Sequence, residues 1–169
     1  MSLKSMLARG TVVLANAGKK MQSLQIRLTA RELKDGVEHF EPYGFTSNPH
    51  PGAEVLTAFL GGDRSHAVVL IAADRRYRIS EVAPGEVVIY SDEGDKVHLK
   101  RGRVIDVETV ILNVKATGSV NIDTPRMNVT GEIHSGGDQV AGGVSQINHP
   151  HGGVMPGSGQ SGPPVPEAE

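Results

Sequence analysis

The chain has 169 residues and a formal net charge of −2; 38% of its residues are hydrophobic, 4% are aromatic, and there are 21 Gly, 10 Pro and no Cys. Without cysteine there can be no disulfides, iron–sulfur clusters or cysteine-type zinc sites, so a metal would have to be held by His, Asp, Glu or backbone oxygen. With three Phe, three Tyr and no Trp a core built on aromatics is not expected, and the near-neutral charge offers no global attraction to nucleic acid or an anionic membrane.

The opening stretch, "MSLKSMLARGTVVLANAGKK", contains no long apolar run. Lys4, Arg9, Lys19 and Lys20 interrupt it, so neither a Sec signal nor a membrane span is expected there. "NAGKK" lacks the glycine spacing and the hydroxyl residue of a phosphate-binding loop. Short Val-, Ile- and Leu-rich runs follow at Thr11–Ala15, Ser23–Thr29, Val37–Phe45, Glu54–Leu60, His66–Ala72 and Val87–Tyr90. "NAGKK", "KDG", "SNPHPG", "GGDRS" and "APGE" separate them as turn signals. Only "TARELK", Thr29–Lys34, hints at helix. Five or six strands in about 80 residues fit a small Greek-key barrel of the OB type, and another small β-domain fits the same pattern.

Beyond Asp95 the texture changes. Val110, Leu112 and Val114 alternate with Ile111, Asn113 and Lys115; Val120 and Ile122 alternate with Asn121 and Asp123; Met127, Val129 and Ile133 alternate with Asn128, Thr130 and Glu132. This is a period of two, with one apolar face and one mostly polar face. Breaks at "ATGS" and "DTPR" predict strands of five to seven residues. With Val97 and Leu99, ten apolar side chains share one face; at ~1.5–3 kcal/mol each, their burial is worth at most roughly 15–30 kcal/mol. Nothing else in the chain is spare to cover that face. Three copies wrapped into a triangular prism would bury it and remove the free edges; a two-sheet sandwich dimer is the rival arrangement.

The tail carries "NHPHGG". In extended backbone His149 and His151 share a face, ~6.6–6.8 Å apart at Cα, and Pro150 keeps His149 extended. One chain supplies two imidazoles and a threefold axis six, which suggests octahedral coordination and suits iron or nickel better than tetrahedral structural zinc. The plain alternative is two neighbouring histidines in a Gly/Pro-rich tail. A cupin-like metal enzyme would need a third His and a nearby carboxylate; His134 sits beside the turn-like "SGGD", and the acids after His151 are the distant Glu167 and Glu169. Ser65–His66 has no third member for a hydrolase. "DRRYR", Asp74–Arg78, could touch nucleic acid on an OB barrel but reads better as a solvated hairpin end. Asp138 could carry calcium near an axis but reads better as a turn residue.

"GDQVAGGVSQINHPHGGV", placed after an alternating β-repeat and a small β-domain, resembles the membrane-piercing central spike of contractile phage tails, in the Mu-type baseplate assembly protein V group. The resemblance implies an all-β chain: an OB-like hub-binding domain over residues 1–91, a trimeric intertwined β-helix over 92–147, and a metal-bound tip and tail over 148–169. It implies one iron per homotrimer held by His149 and His151 of each chain, with calcium or chloride as further axial ions. It also implies no catalysis, no small-molecule substrate and no nucleic acid. The expected partners are tail hub and baseplate proteins and, transiently, the host outer membrane; the expected location is the tip of the virion baseplate, after assembly in the host cytoplasm. An OB-fold nucleic-acid binder and a cupin-like enzyme are the alternatives.

Overall fold

The computed structural model describes residues 6–28, 31–153 and 157. It is all-β apart from a short 3-10 turn at Leu60–Gly62, and it divides into two compact units, residues 1–114 and 115–169.

The first unit begins with a closed five-stranded barrel of β1 (Leu7–Asn16), β2 (Ser23–Leu28), β3 (Leu33–His39), β4 (Glu54–Phe59) and β5 (Ala67–Ala73), in the order β1-β2-β3-β5-β4. β1 pairs antiparallel with β4 at its start and with β2 at its end. Gly10 sits in both ladders, and a Cβ there would lie 2.6 Å from the Arg27 carbonyl oxygen. The crossing of β1 over two neighbours is therefore open only to glycine. A bulge follows between Val12 and Leu14 and swaps the faces of the strand: Val12 is buried, Leu14 is exposed and Ala15 packs inward. A parallel pairing of β3 with β5, Glu38 opposite Val68 and His39 opposite Val69, closes the barrel. Alternate residues of β2 and β4 fill it, Leu24, Ile26 and Leu28 against Val55 and Phe59. Phe59 is the one aromatic in this core, as the aromatic-poor composition leads one to expect.

Two local expectations are corrected here. "TARELK" is not helical: Arg31 has φ 62°, its N–H donates to the Leu28 carbonyl and the Leu28 N–H to the Glu32 carbonyl, and Leu33 and Lys34 already lie in β3. Thr29 and Ala30 fall outside the described residues. The chain thus enters β3 inside the stretch where the side chains alone favoured helix. "KDG" is not a turn between strands but an irregularity inside β3, where the register against β2 shifts and Gly36 adopts φ 65°. β3 consequently starts and ends earlier than Val37–Phe45.

The chain leaves β3 through a loop with exposed Phe40, Tyr43 and Phe45. Glu41 closes it by accepting from the Ser47 N–H at 2.6 Å and the Thr46 hydroxyl at 3.0 Å. Beneath the loop, Gln22 donates to the Ser47 carbonyl at 2.7 Å and meets Nδ1 of the buried His39 at 2.9 Å.

The first unit continues with a three-stranded antiparallel sheet of β6 (Val87–Tyr90), β7 (Lys96–Lys100) and β8 (Val104–Glu108). Val87–Tyr90 forms as expected but pairs with β7. Register gathers most of the apolar side chains on one face, with Val88, Tyr90 and Val104 on the other. Val87, Leu99 and Ile105 align, as do Ile89, Val97 and Val107. The other face carries the ion pairs Lys96–Glu108 (2.7 Å) and Lys100–Asp106 (3.0 Å), and His98 against Glu86 at 2.9 Å. The apolar face is largely exposed on the single chain.

Past Glu108 no strand forms until β9 (Val140–Ala141) and β10 (Val144–Ser145). The strands expected over Val110–Ile133 make no ladder with any of the described residues. Among the described residues, no backbone–backbone hydrogen bond engages residues 109–138, and no φ is positive between Arg103 and Gly142. Val110 is 96% exposed, and Leu112, Val120, Ile122 and Ile133 are each at least 60% exposed. Alternation alone gives a segment two faces; it supplies no partner for its N–H and C=O groups.

Candidate metal-binding tip

The tip is built on a two-residue hairpin. "VAGGVS" places Gly142 at φ 57° and Gly143 at φ 84°, the pair of positive values that suits the twist of two short antiparallel strands. Val144 pairs with Ala141 and Ser145 with Val140; one step further out, the Gln146 N–H donates to the Gln139 carbonyl at 2.9 Å.

Asp138 closes the base of this hairpin. Its Oδ1 accepts from the Ile147 N–H at 3.1 Å. The Ser145 hydroxyl first, then the N–H groups of Ile147, Gln139 and Gln146, hold its carboxyl below the usual carboxylate range. Asp138 thus stands at the base of the hairpin, bonded within its own chain. The Ser145 hydroxyl also accepts from the Asn148 N–H at 2.8 Å.

His149 follows directly. Its Nδ1 lies 2.7 Å from the Ser145 carbonyl oxygen. A carbonyl only accepts, so Nδ1 carries the proton and the lone pair is on Nε2. That is the tautomer in which a histidine can ligate a metal through Nε2 while its second nitrogen is tied to the protein. The His151 ring stands 4.8 Å away, centroid to centroid, at 67° to the first. The structure thus brings both sequence-predicted residues together, exposed, on one short turn. Among the described residues no group of three or more His, Asp or Glu is assembled in the single chain. The two imidazoles could serve as two ligands of a metal ion. Sequence reading missed Ser145 as the residue that orients His149; the signal for it was the Gly-Gly pair flanked by "VA" and "VS".

The other sequence candidates are engaged elsewhere. His134 Nε2 contacts Glu132 at 3.0 Å. In "DRRYR", Arg75 pairs with Glu54 and Arg76 with Asp74. Ser65 donates its hydroxyl to Asp63 at 2.7 Å. Gly18 closes a turn on Asn16 at 3.2 Å. A groove of about 810 Å3 in the first unit is lined by His50, Tyr77, Tyr90 and Asp92 among others. Its serines Ser47 and Ser91 face the carboxylates of Glu41 and Asp95, an arrangement without an activated nucleophile.

Comparison with known proteins divides along the same lines. Residues 9–76, almost the whole barrel, match the family described as bacteriophage Mu Gp45, N-terminal. Residues 143–165, which contain both His149 and His151, match the GpV Apex motif. The Mu-like prophage FluMu protein gp45 of Haemophilus influenzae is 32% identical over 161 residues, 88% of this chain and 87% of that protein. The chain belongs to the Mu gp45 family of baseplate spike proteins. The baseplate puncturing device gp45 of Escherichia phage Mu is 41% identical over 133 residues, which span 78% of this chain and 66% of the phage protein.

Proposed function

We propose that this chain is the central spike of a contractile phage tail: a structural, non-enzymatic virion protein of the baseplate tip that pierces the host outer membrane. In this reading it is a homotrimer. One observation carries the reading. Among the described residues, 109–138 make no backbone–backbone hydrogen bond while their apolar side chains stand exposed in alternation. Unpaired backbone and a two-residue hydrophobic period are the two halves of a β-strand that lacks only its neighbour. Three copies supply one another's neighbours and bury the apolar faces inward, and the exposed apolar face of the β6–β8 sheet gains the same cover.

The barrel is the attachment module. Its closed order, with β1 bridging β2 and β4 and β3 parallel to β5, supports assignment to the OB type. It would seat on the tail hub, while residues 92–147 form the shaft and 148–169 the tip. His149 and His151 of three chains would hold one iron ion, which ties the three tails together at the point. Piercing needs a rod that does not unfold under load, and strands hydrogen-bonded to two other chains meet that need. The name carried by the phage Mu relative, a baseplate puncturing device, supports the same role.

Native mass spectrometry of the intact protein tests this directly. The expected mass is three chains plus one iron. A folded, metal-free monomer would overturn the reading, and a dimer would favour the sandwich arrangement.

A further inference from the structure

We infer that Asp138 and Ser145 form a built-in support for the tip metal: the Asp138 carboxylate closes the β9–β10 hairpin so that the Ser145 carbonyl presents His149 with Nε2 outward. The inference rests on the trimeric, metal-bound reading above and adds a role for residues that are not themselves ligands.

The contacts fasten three successive residues, Ile147, Asn148 and His149, to the hairpin. Asp138 Oδ1 takes the Ile147 N–H at 3.1 Å, two residues before His149. Ser145, at the end of β10, is used twice: its hydroxyl accepts from the Asn148 N–H at 2.8 Å, and its carbonyl takes Nδ1–H of His149 at 2.7 Å. The need for such a device follows from the setting. His149 is exposed and lies beyond the last strand pair, so neither core packing nor a ladder holds its ring. Hydrogen bonds to the second ring nitrogen are the remaining means of fixing it.

The test uses the full-length, iron-loaded protein. Iron loss to excess bathophenanthroline is timed for the wild type, Asp138→Ala and Asp138→Asn, with assembly mass and calcium content measured in parallel. Asp138→Ala is expected to keep the trimer mass but to release iron roughly 10–100-fold faster. Asp138→Asn, which retains an acceptor oxygen but no charge, is expected to restore most of the wild-type retention. An Asp138→Ala protein that holds iron like the wild type overturns the inference. So does loss of bound calcium from both variants with iron retention unchanged, which would make Asp138 a ligand. If Asp138→Ala does not assemble, the comparison is read on Ser145→Ala, which keeps the carbonyl but removes the hydroxyl; unchanged iron release there overturns the inference too. A wild-type protein without iron removes the parent reading itself, an outcome distinct from an iron-bound wild type indifferent to Asp138.

Discussion

Gly10 and His39 show how single residues set the barrel's tolerance. A methyl group at Gly10 would enter the space of the Arg27 carbonyl, which belongs to backbone and cannot swing aside. Gly10→Ala is therefore expected to cost about 1–3 kcal/mol, the usual range for overpacking, read as a lower urea midpoint at unchanged slope. His39 is buried against Gln22; burial pushes its pKa below the ordinary 6.5, and the nearby Glu41 only partly offsets this. The folded state thus binds fewer protons than the unfolded chain at this site. Its contribution to stability is complete above about pH 6.5 and is lost as the pH falls below that value through the depressed folded pKa. His39→Gln is expected to flatten that acid limb in denaturant titrations between pH 7 and 5; an unchanged limb would mean that other groups carry the acid sensitivity. Gly10 lies at the edge of an expected strand with nothing local to mark it. Only the pairing of β1 with two neighbours explains it.

At the scale of elements, the two halves of the chain obey different rules. The barrel strands were legible because turn signals and β-branched runs bracket them, and four of the five fall within a few residues of their expected bounds. The exceptions have physical causes. "TARELK" has helix-forming side chains but is too short to pay for nucleation alone, and its end, Leu33 and Lys34, is drawn into β3 by pairing with β2. "KDG" carries turn residues, yet an αL glycine serves equally well inside a strand, where it breaks register. In the repeat, alternation predicts strands whose partners are other copies. This is testable by facing pairs of substitutions. Ile122→Lys, on the apolar face, is expected to abolish or sharply reduce the trimer in sedimentation experiments, whereas Asn121→Lys next to it is expected to leave the trimer intact. Equal effects would mean that the alternation does not define an inward face.

For the whole molecule, the tip and the shaft are expected to be separable. His149→Ala with His151→Ala removes both imidazoles of each chain and should abolish bound metal while leaving a trimer, because the shaft holds its cover independently of the ion. Folded monomers in place of that metal-free trimer would place the assembly energy at the tip instead. Heating should then expose the difference: without metal, the tip becomes protease-sensitive before the shaft does.

By itself the sequence determined the all-β class, the aromatic-poor core, the two-faced repeat and the two histidines of the tip. These depend on residue type and short-range period, which are local properties of the chain. Only the tertiary structure decided that β3 meets β5 in parallel to close the barrel, that β6 joins a separate sheet, and that Asp138 and Ser145 stand behind His149. Those relations join residues through pairing register and hydrogen bonds to backbone atoms. The backbone is chemically uniform along the chain, so its partners are chosen by the fold as a whole and leave little mark on any one stretch.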